Sequence, residues 1–219
     1  MTVRNLLTRG NGKLGESIHA WSIPAVTTCP GRSSLCEVAC YATGGRFRTH
    51  AIQVRLAENL DAALADDFVP RVVAEVRRRG VHVLRVHVSG DFFSAEYAAK
   101  WLAIARRCRR TRFSGYTRSW RVPEVVPALA RLAAVPNVRL WYSADAETGL
   151  PEDVPPGVRV AYLLAGPGDS PSGADLAFRT RRLRREPARR VGLTLVCPTE
   201  NGTRHVADVT CTSCRQCFE

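Results

Sequence analysis

Apolar positions recur along this chain with two different periods, and the switches between them outline its elements. Ile18 to Val26 reads as a first strand running straight into a loop with Cys29. Ile52, Leu56 and Leu60 share one face of a helix expected over Thr49 to Leu60. Val69, Val72, Val73 and Val76 do the same over Phe68 to Arg79, with Asp66 or Asp67 as N-cap and Gly80 as the stop. Val81 to Val88 then alternates like a strand. That parity puts Leu84, Val86 and Val88 on one face and Arg85, His87, Ser89 and Asp91 on the other.

A helix over Ala95 to Arg107 aligns Tyr97, Trp101, Ile104 and Cys108, which makes Cys108 a core residue. A strand at Phe113 to Thr117 precedes a helix carrying Val125, Leu129 and Leu132, whose start Pro123 and Pro127 make late or irregular. Further strands are expected at Val138 to Ser143, Val158 to Leu164 and Val191 to Val196. A mobile loop rich in Gly, Pro, Ser and Asp, Gly166 to Asp175, separates the last two.

Strands alternating with helices, without repeats or linkers, predict βα units and a mainly parallel sheet. The expected class is α/β, a partial (β/α)6 TIM-type barrel over residues 1–196 with a short cysteine-rich C-terminal extension over 197–219. Functional groups collect at the carboxyl ends of parallel strands. Those ends carry the Cys29 loop, Ser89 to Asp91, Thr117 to Trp120, Ser143 to Asp145, and Cys197.

Composition narrows the chemistry. At 219 residues the chain can bury a core without a metal staple. No apolar run reaches the roughly 18 residues of a membrane span, and no secretory leader opens the sequence, so a cytoplasmic protein without membrane contact is expected. Clustered cysteines in that compartment ligate metal more often than they pair. The net charge of +12 comes almost wholly from arginine, since Lys13 and Lys100 are the lysines. Such charge suits nucleic acid or an anionic, nucleotide-like small molecule. The densest run, Arg179 to Arg190, equally suits a solvated helix face.

Seven of the eight cysteines form two groups, Cys29, Cys36 and Cys40 in C-x6-C-x3-C, and Cys197, Cys211, Cys214 and Cys217 in C-x13-C-x2-C-x2-C. Three thiolates leave one corner of a [4Fe-4S] cluster open, where S-adenosylmethionine can bind and be reductively cleaved. The alternatives are zinc completed by His19 or His50, or a cluster completed by Cys197. Four thiolates close a second centre, whose C-x2-C-x2-C run matches cluster loops better than paired zinc knuckles. Around the open centre, Tyr41 is a candidate for packing beside adenine, Asp91 for the cofactor's ammonium group, and Ser143 and Asp145 for its ribose hydroxyls. Arg85, His87 and Arg118 are candidates for a carboxylate, a phosphate or proton transfer.

The stretches WSIPAVTTCPGRSSLCEVACYATGGRFR, HVSGDFFSAEYAAKWL, YTRSW and NVRLWYSAD resemble the gene-product-eighty-eight family known from mycobacteriophages, over about residues 12 to 165. The layout is also similar to the radical S-adenosylmethionine superfamily. That resemblance implies a partial barrel with an open cluster after the first strand, and Ser89, Gly90 and Asp91 at the position that holds the cofactor's amino group. The superfamily's C-x3-C-x2-C loop has an aromatic before its last cysteine, whereas here Tyr41 follows Cys40. The resemblance further implies two [4Fe-4S] clusters, S-adenosylmethionine, and an external electron donor such as flavodoxin or ferredoxin. Its second cluster would relay electrons, anchor substrate or donate sulfur. A zinc or iron–sulfur nucleic-acid-binding protein without turnover is the competing expectation.

Overall fold

The computed structural model describes residues 5–166, 168–185, 190–200 and 209–219. It is a mixed α/β protein with one nine-stranded sheet of order β1-β2-β3-β4-β5-β6-β7-β9-β8. The strands are β1 (Thr8–Asn11), β2 (Gly15–Ala20), β3 (Val83–Val86), β4 (Arg112–Thr117), β5 (Val138–Asp145), β6 (Arg159–Leu164), β7 (Leu176–Arg179), β8 (Arg190–Val191) and β9 (Thr194–Val196). Neighbours from β2 to β7, and β7 with β9, pair in parallel. An antiparallel partner, β1 or β8, closes each edge.

The helices are α1 (Ser34–Val38), α2 (His50–Leu64), α3 (Phe68–Arg78), α4 (Ala95–Arg107), α5 (Val126–Ala133) and α6 (Cys211–Cys214). The expected helices α2 to α5 are all present, because each has an apolar stripe long enough to bury. Phe68, Val72, Val76, Tyr97, Trp101, Ile104, Leu129 and Leu132 pack on Leu84, Val86, Phe113, Val138 and Leu140 from one sheet face. Cys108 is buried in that core as expected. No helix among the described residues is long and apolar enough to cross a membrane.

Three expectations are corrected. The first strand ends at Ala20 rather than Val26, since Pro24 has no N–H to donate and Val26 adopts φ 68°. The strand expected over Val81 to Val88 spans only Val83–Val86, and His87 follows at φ 62°. That left-handed residue reverses the side-chain parity. His87 therefore joins Phe92, Tyr97 and Trp101 on the helix side, while Val88 packs with Leu14, Ile18 and Ala20 on the other.

Third, the alternation of strands and helices stops after β5, for residues 146–158 carry no helix and the short strand β7 follows the next loop. That loop is tied down at several points. Asp169 Oδ2 accepts from the Ala165 and Gly166 amides, and Thr194 Oγ1 donates to Pro171 O. The arginine run opens inside β7 and continues into a 3-10 turn at Leu183–Arg185, with residues 186–189 outside the described residues.

The face opposite the helices is covered by the end of the chain. Phe218 is buried with Leu14, Ile18 and Ala20, and Trp141, Ala161, Leu176 and Cys197 form an adjoining cluster that Tyr116, Phe178 and Cys217 contact.

Candidate metal centres

Cys29 follows a turn that two strand ends brace. The Ile23 amide donates to Ser89 O at 3.1 Å, and Ser89 Oγ returns a bond to Ile23 O at 2.5 Å. Gly90 lies between them at φ 83°, where a Cβ would stand 2.3 Å from Ile23 Cγ1 and 2.8 Å from Thr28 Oγ1. Only glycine tolerates both that backbone and that approach. Ser89 and Gly90 thus build the cysteine loop.

Cys36 sits in the short helix α1, capped by Ser33, whose hydroxyl accepts from the Cys36 amide at 2.9 Å. The same hydroxyl donates to Asp145 Oδ2 at 2.6 Å, and Arg118 Nη1 meets that oxygen at 2.7 Å. Asp145 Oδ1 accepts from the Glu147 and Thr148 amides. Burial alone would raise the Asp145 pKa, but Ser33, Arg118 and those amides together hold it below the ordinary value. Glu147 completes the cap by accepting from the Ser34 and Leu35 amides.

Asp91 is buried and accepts from the Phe92 amide at 2.7 Å and the Arg118 amide at 2.8 Å. Burial raises its pKa, and the hydrogen bonds from Thr117, Arg118, Phe92 and Ser119 oppose the rise. Trp120 Nε1 donates to Ser143 O at 2.8 Å. The ends of β3, β4 and β5 are therefore stitched to the Cys29–Cys36 loop by Asp91, Arg118, Asp145 and Ser33.

Cys40 precedes Tyr41, which is 60% exposed; its hydroxyl donates to Val88 O and its ring meets Phe47 edge-on at 5.8 Å. The three thiols lie within electrostatic reach of one another. Burial, then the Asp91 charge, pushes Cys29 up to about 12, with Cys36 and Cys40 adding to the rise, and burial also raises Cys36. Thiolates ligating the irons of a cluster would be relieved of that penalty.

The second group lines a single cavity. Cys197 follows β9, Cys211 and Cys214 bound α6, and all four cysteines line one cavity with Leu176, Pro198, Thr199, Arg215 and Gln216. Thr210 and Ser213 form a capping box at the start of α6. Gly15, at φ 83°, lets α6 dock on β2, since a Cβ there would stand 2.5 Å from Thr212 Oγ1. Burial, then the Cys217 charge, raises Cys211 to about 11. Lys13 lies within electrostatic reach of Cys197 and Cys211, and its Nζ pairs with Glu200 at 2.8 Å.

All eight cysteines are free thiols. Among the described residues no three histidine, cysteine or acidic side chains meet closely enough for a bare metal ion. The donor chemistry of both groups, three and four thiols brought together without disulfides, fits a thiolate-held metal centre.

The other candidates divide. Arg118 lies just past the carboxyl end of β4, between Asp91 and Asp145. Arg85 is on the sheet face opposite the helices, its guanidinium 4.2 Å from the Tyr116 ring centroid. His87 does not share a sheet face with Arg85: Arg85 Nε reaches its carbonyl at 3.4 Å, but its ring is buried among aromatics, with Nε2 2.9 Å from Tyr97 Oη, which accepts from Trp21 Nε1. His19 feels the charges of Arg79, Arg9 and Glu75, on the side of α3, and His50 opens α2. Sequence reasoning passed over Ser33, Glu147 and Lys13. Ser33 had a signal, an N-cap serine three residues before Cys36; Glu147 and Lys13 had none.

A family model described as Gene product 88 matches residues 4–219 of the chain. The chain is similar to the Gene 88 protein of Mycobacterium phage L5, 26% identical over 201 residues that cover 87% of this chain and 76% of that protein. It is also similar to the Gene 88 protein of Mycobacterium phage D29, 26% identical over 162 residues covering 69% of this chain and 62% of the phage protein, less than two thirds of its length. No solved structure matches the chain.

Proposed function

The chain belongs to the Gene product 88 family, and from that premise we propose that it is an iron–sulfur enzyme similar to the radical S-adenosylmethionine class. The observation that carries the proposal is the asymmetry of the two thiol groups: three in the one loop after β2, braced against the carboxyl ends of β3, β4 and β5, and four around a cavity on the sheet face opposite the helices. The parallel run β2 to β7 supports the finer reading of a partial TIM-type barrel of the (β/α)6 kind over residues 1–196, in which the crossovers after β5 and β6 are loops instead of helices, with 197–219 as the cysteine-rich segment.

Cys29, Cys36 and Cys40 would hold a [4Fe-4S] cluster with one open iron, and Cys197, Cys211, Cys214 and Cys217 a closed one. The open cluster, when bound, supplies one electron and a coordination corner for S-adenosylmethionine, whose cleavage yields methionine and a 5'-deoxyadenosyl radical. The chain's own residues prepare that site. Ser33, Asp145 and Arg118 fix the start of α1, Ser89 and Gly90 fix the Cys29 turn, and Asp91 anchors the β4 turn. Their polar atoms are already engaged, which makes them builders of the loop. Tyr41 and Ser143 are left as the candidates for contact with adenine and ribose. Arg85 and Lys13 supply positive charge for an anionic, nucleotide-like substrate, and the electron would come from a flavodoxin or ferredoxin.

The test is anaerobic reconstitution, counting iron and sulfide, then dithionite and S-adenosylmethionine. About eight irons per chain and 5'-deoxyadenosine that vanishes in Cys36→Ala support the proposal. Zinc in place of iron, or intact clusters without cleavage, overturns it.

One observation favours a second reading. Arg181, Arg182, Arg184 and Arg185 line a single surface pocket, which suits phosphates of a nucleic acid. Binding to DNA or RNA that weakens steeply with salt, without cofactor cleavage, would favour that reading.

A further inference from the structure

On the sheet face opposite the helices, Tyr116 of β4 donates its hydroxyl hydrogen to Cys217 Sγ at 2.9 Å. The ring is held from several sides. Trp141 stacks on it with centroids 5.4 Å apart and planes 19° from parallel, and Phe178 meets it edge-on at 5.2 Å. The Arg85 guanidinium lies 4.2 Å from its centroid. Trp141, its register partner on β5, also donates from Nε1 to Cys217 O at 3.0 Å. Two stacked rings therefore hold the sulfur and the carbonyl of one cysteine. Among the described residues, the other side-chain hydrogen bond to a sulfur of this group is the Thr199 hydroxyl with Cys197 Sγ at 3.2 Å.

A hydrogen bond to a ligating sulfur withdraws electron density from it, and such outer partners tune both potential and affinity. A cation over the ring face draws density from the phenol and makes its hydroxyl a better donor. We infer that Tyr116 is the positioning and tuning residue of the C-terminal metal centre, and that its hydroxyl, polarised by Arg85, sets Cys217 apart from the other three ligands. The inference rests on the metal reading of these four cysteines, but not on cleavage of S-adenosylmethionine.

The probe is the [4Fe-4S] cluster itself, assembled anaerobically from ferrous iron and sulfide on the full chain with Cys29, Cys36 and Cys40 replaced by Ser, and its reduction potential is read by redox titration of the cluster's visible absorption. A hydrogen bond to a ligating sulfur stabilises the reduced, more negative cluster. In Tyr116→Phe, which keeps the ring, the potential therefore moves to a more negative value. Arg85→Gln, which keeps the hydroxyl, gives a smaller shift in the same direction. An unchanged potential in Tyr116→Phe overturns the assignment even if cluster yield falls, because lost packing alone would lower the yield. A parent that assembles no cluster overturns the metal reading and this inference with it, so the two failures are told apart by the parent.

Discussion

Arg118 Nη1 and Asp145 Oδ2 form an ion pair at 2.7 Å in which the Asp145 side chain is 0% exposed. The pair joins the turn after β4 to the end of β5, and Ser33, donating to the same oxygen at 2.6 Å, extends it to the helix that carries Cys36. A buried pair contributes little over an apolar replacement, yet removing one partner is costly, because the other charge is stranded.

Asp145→Asn strands the Arg118 guanidinium and weakens the acceptor for Ser33. The expected loss is about 3–5 kcal/mol of unfolding free energy, read from urea denaturation of the reduced protein at neutral pH. A loss below about 1 kcal/mol, the range of an exposed pair, would contradict the assignment. Cluster assembly at the C-terminal cysteines of this variant stays intact, since among the described residues the Asp145 side chain contacts Ser33, Arg118, Glu147 and Thr148 and none of that group.

His87 makes stability depend on pH. Burial, then the Arg85 charge, lowers its pKa from 6.5 to about 3. Between those values the unfolded chain binds the proton and the folded chain does not. The contribution of His87 is therefore full above about pH 6.5 and declines as pH falls toward about 3, by up to about 1.4 kcal/mol per pH unit. His87→Asn keeps a residue that tolerates φ 62° and removes the titration. Its stability profile between about pH 6.5 and 4.5 should be flatter than the parent's; identical slopes would sink the argument.

The same residue marks where the sequence stopped being legible. Helices α2 to α5 could be read because their apolar stripes recur over several turns. The parity of Arg85, His87, Ser89 and Asp91 was misread because alternation holds only while the backbone stays extended, and a non-glycine residue at positive φ carries no sequence signal. The gathering of strand ends followed from βα order, but the use of Ser89, Asp91 and Asp145 as internal braces did not. Which oxygen a carboxylate turns toward depends on backbone amides such as those of Arg118 and Thr148, which no spacing rule reveals. Strand β7 was missed because four residues, LAFR, show too little period to stand out.

Gly90→Ala tests the brace under Cys29. The new methyl would lie 2.3 Å from Ile23 Cγ1 on a backbone at φ 83°, so the Ile23–Cys29 turn must move. We expect about 1–3 kcal/mol of lost stability and, after reconstitution, about four irons per chain instead of about eight. Full iron content would mean that the loop finds its ligand geometry without this contact.

Metal removal should loosen the C-terminal segment without unfolding the sheet. The segment is attached by metal-independent contacts: the Thr212 amide and hydroxyl donate to Leu14 O at 3.1 and 2.8 Å, Arg139 Nε donates to Glu219 O at 3.1 Å, and Phe218 is buried against Ile18 and Ala20. The larger core lies on the opposite face, and its only cysteine among the described residues is Cys108. A metal supplies the folding energy of a domain that has too little core of its own, and a 219-residue chain with this core is outside that regime. Chelation should therefore leave far-ultraviolet circular dichroism nearly unchanged while altering tryptophan emission. The change should disappear in Trp141→Phe, because Trp141 Nε1 reports on Cys217 O. Cooperative loss of all secondary structure on chelation would instead make the four cysteines the staple of the whole fold.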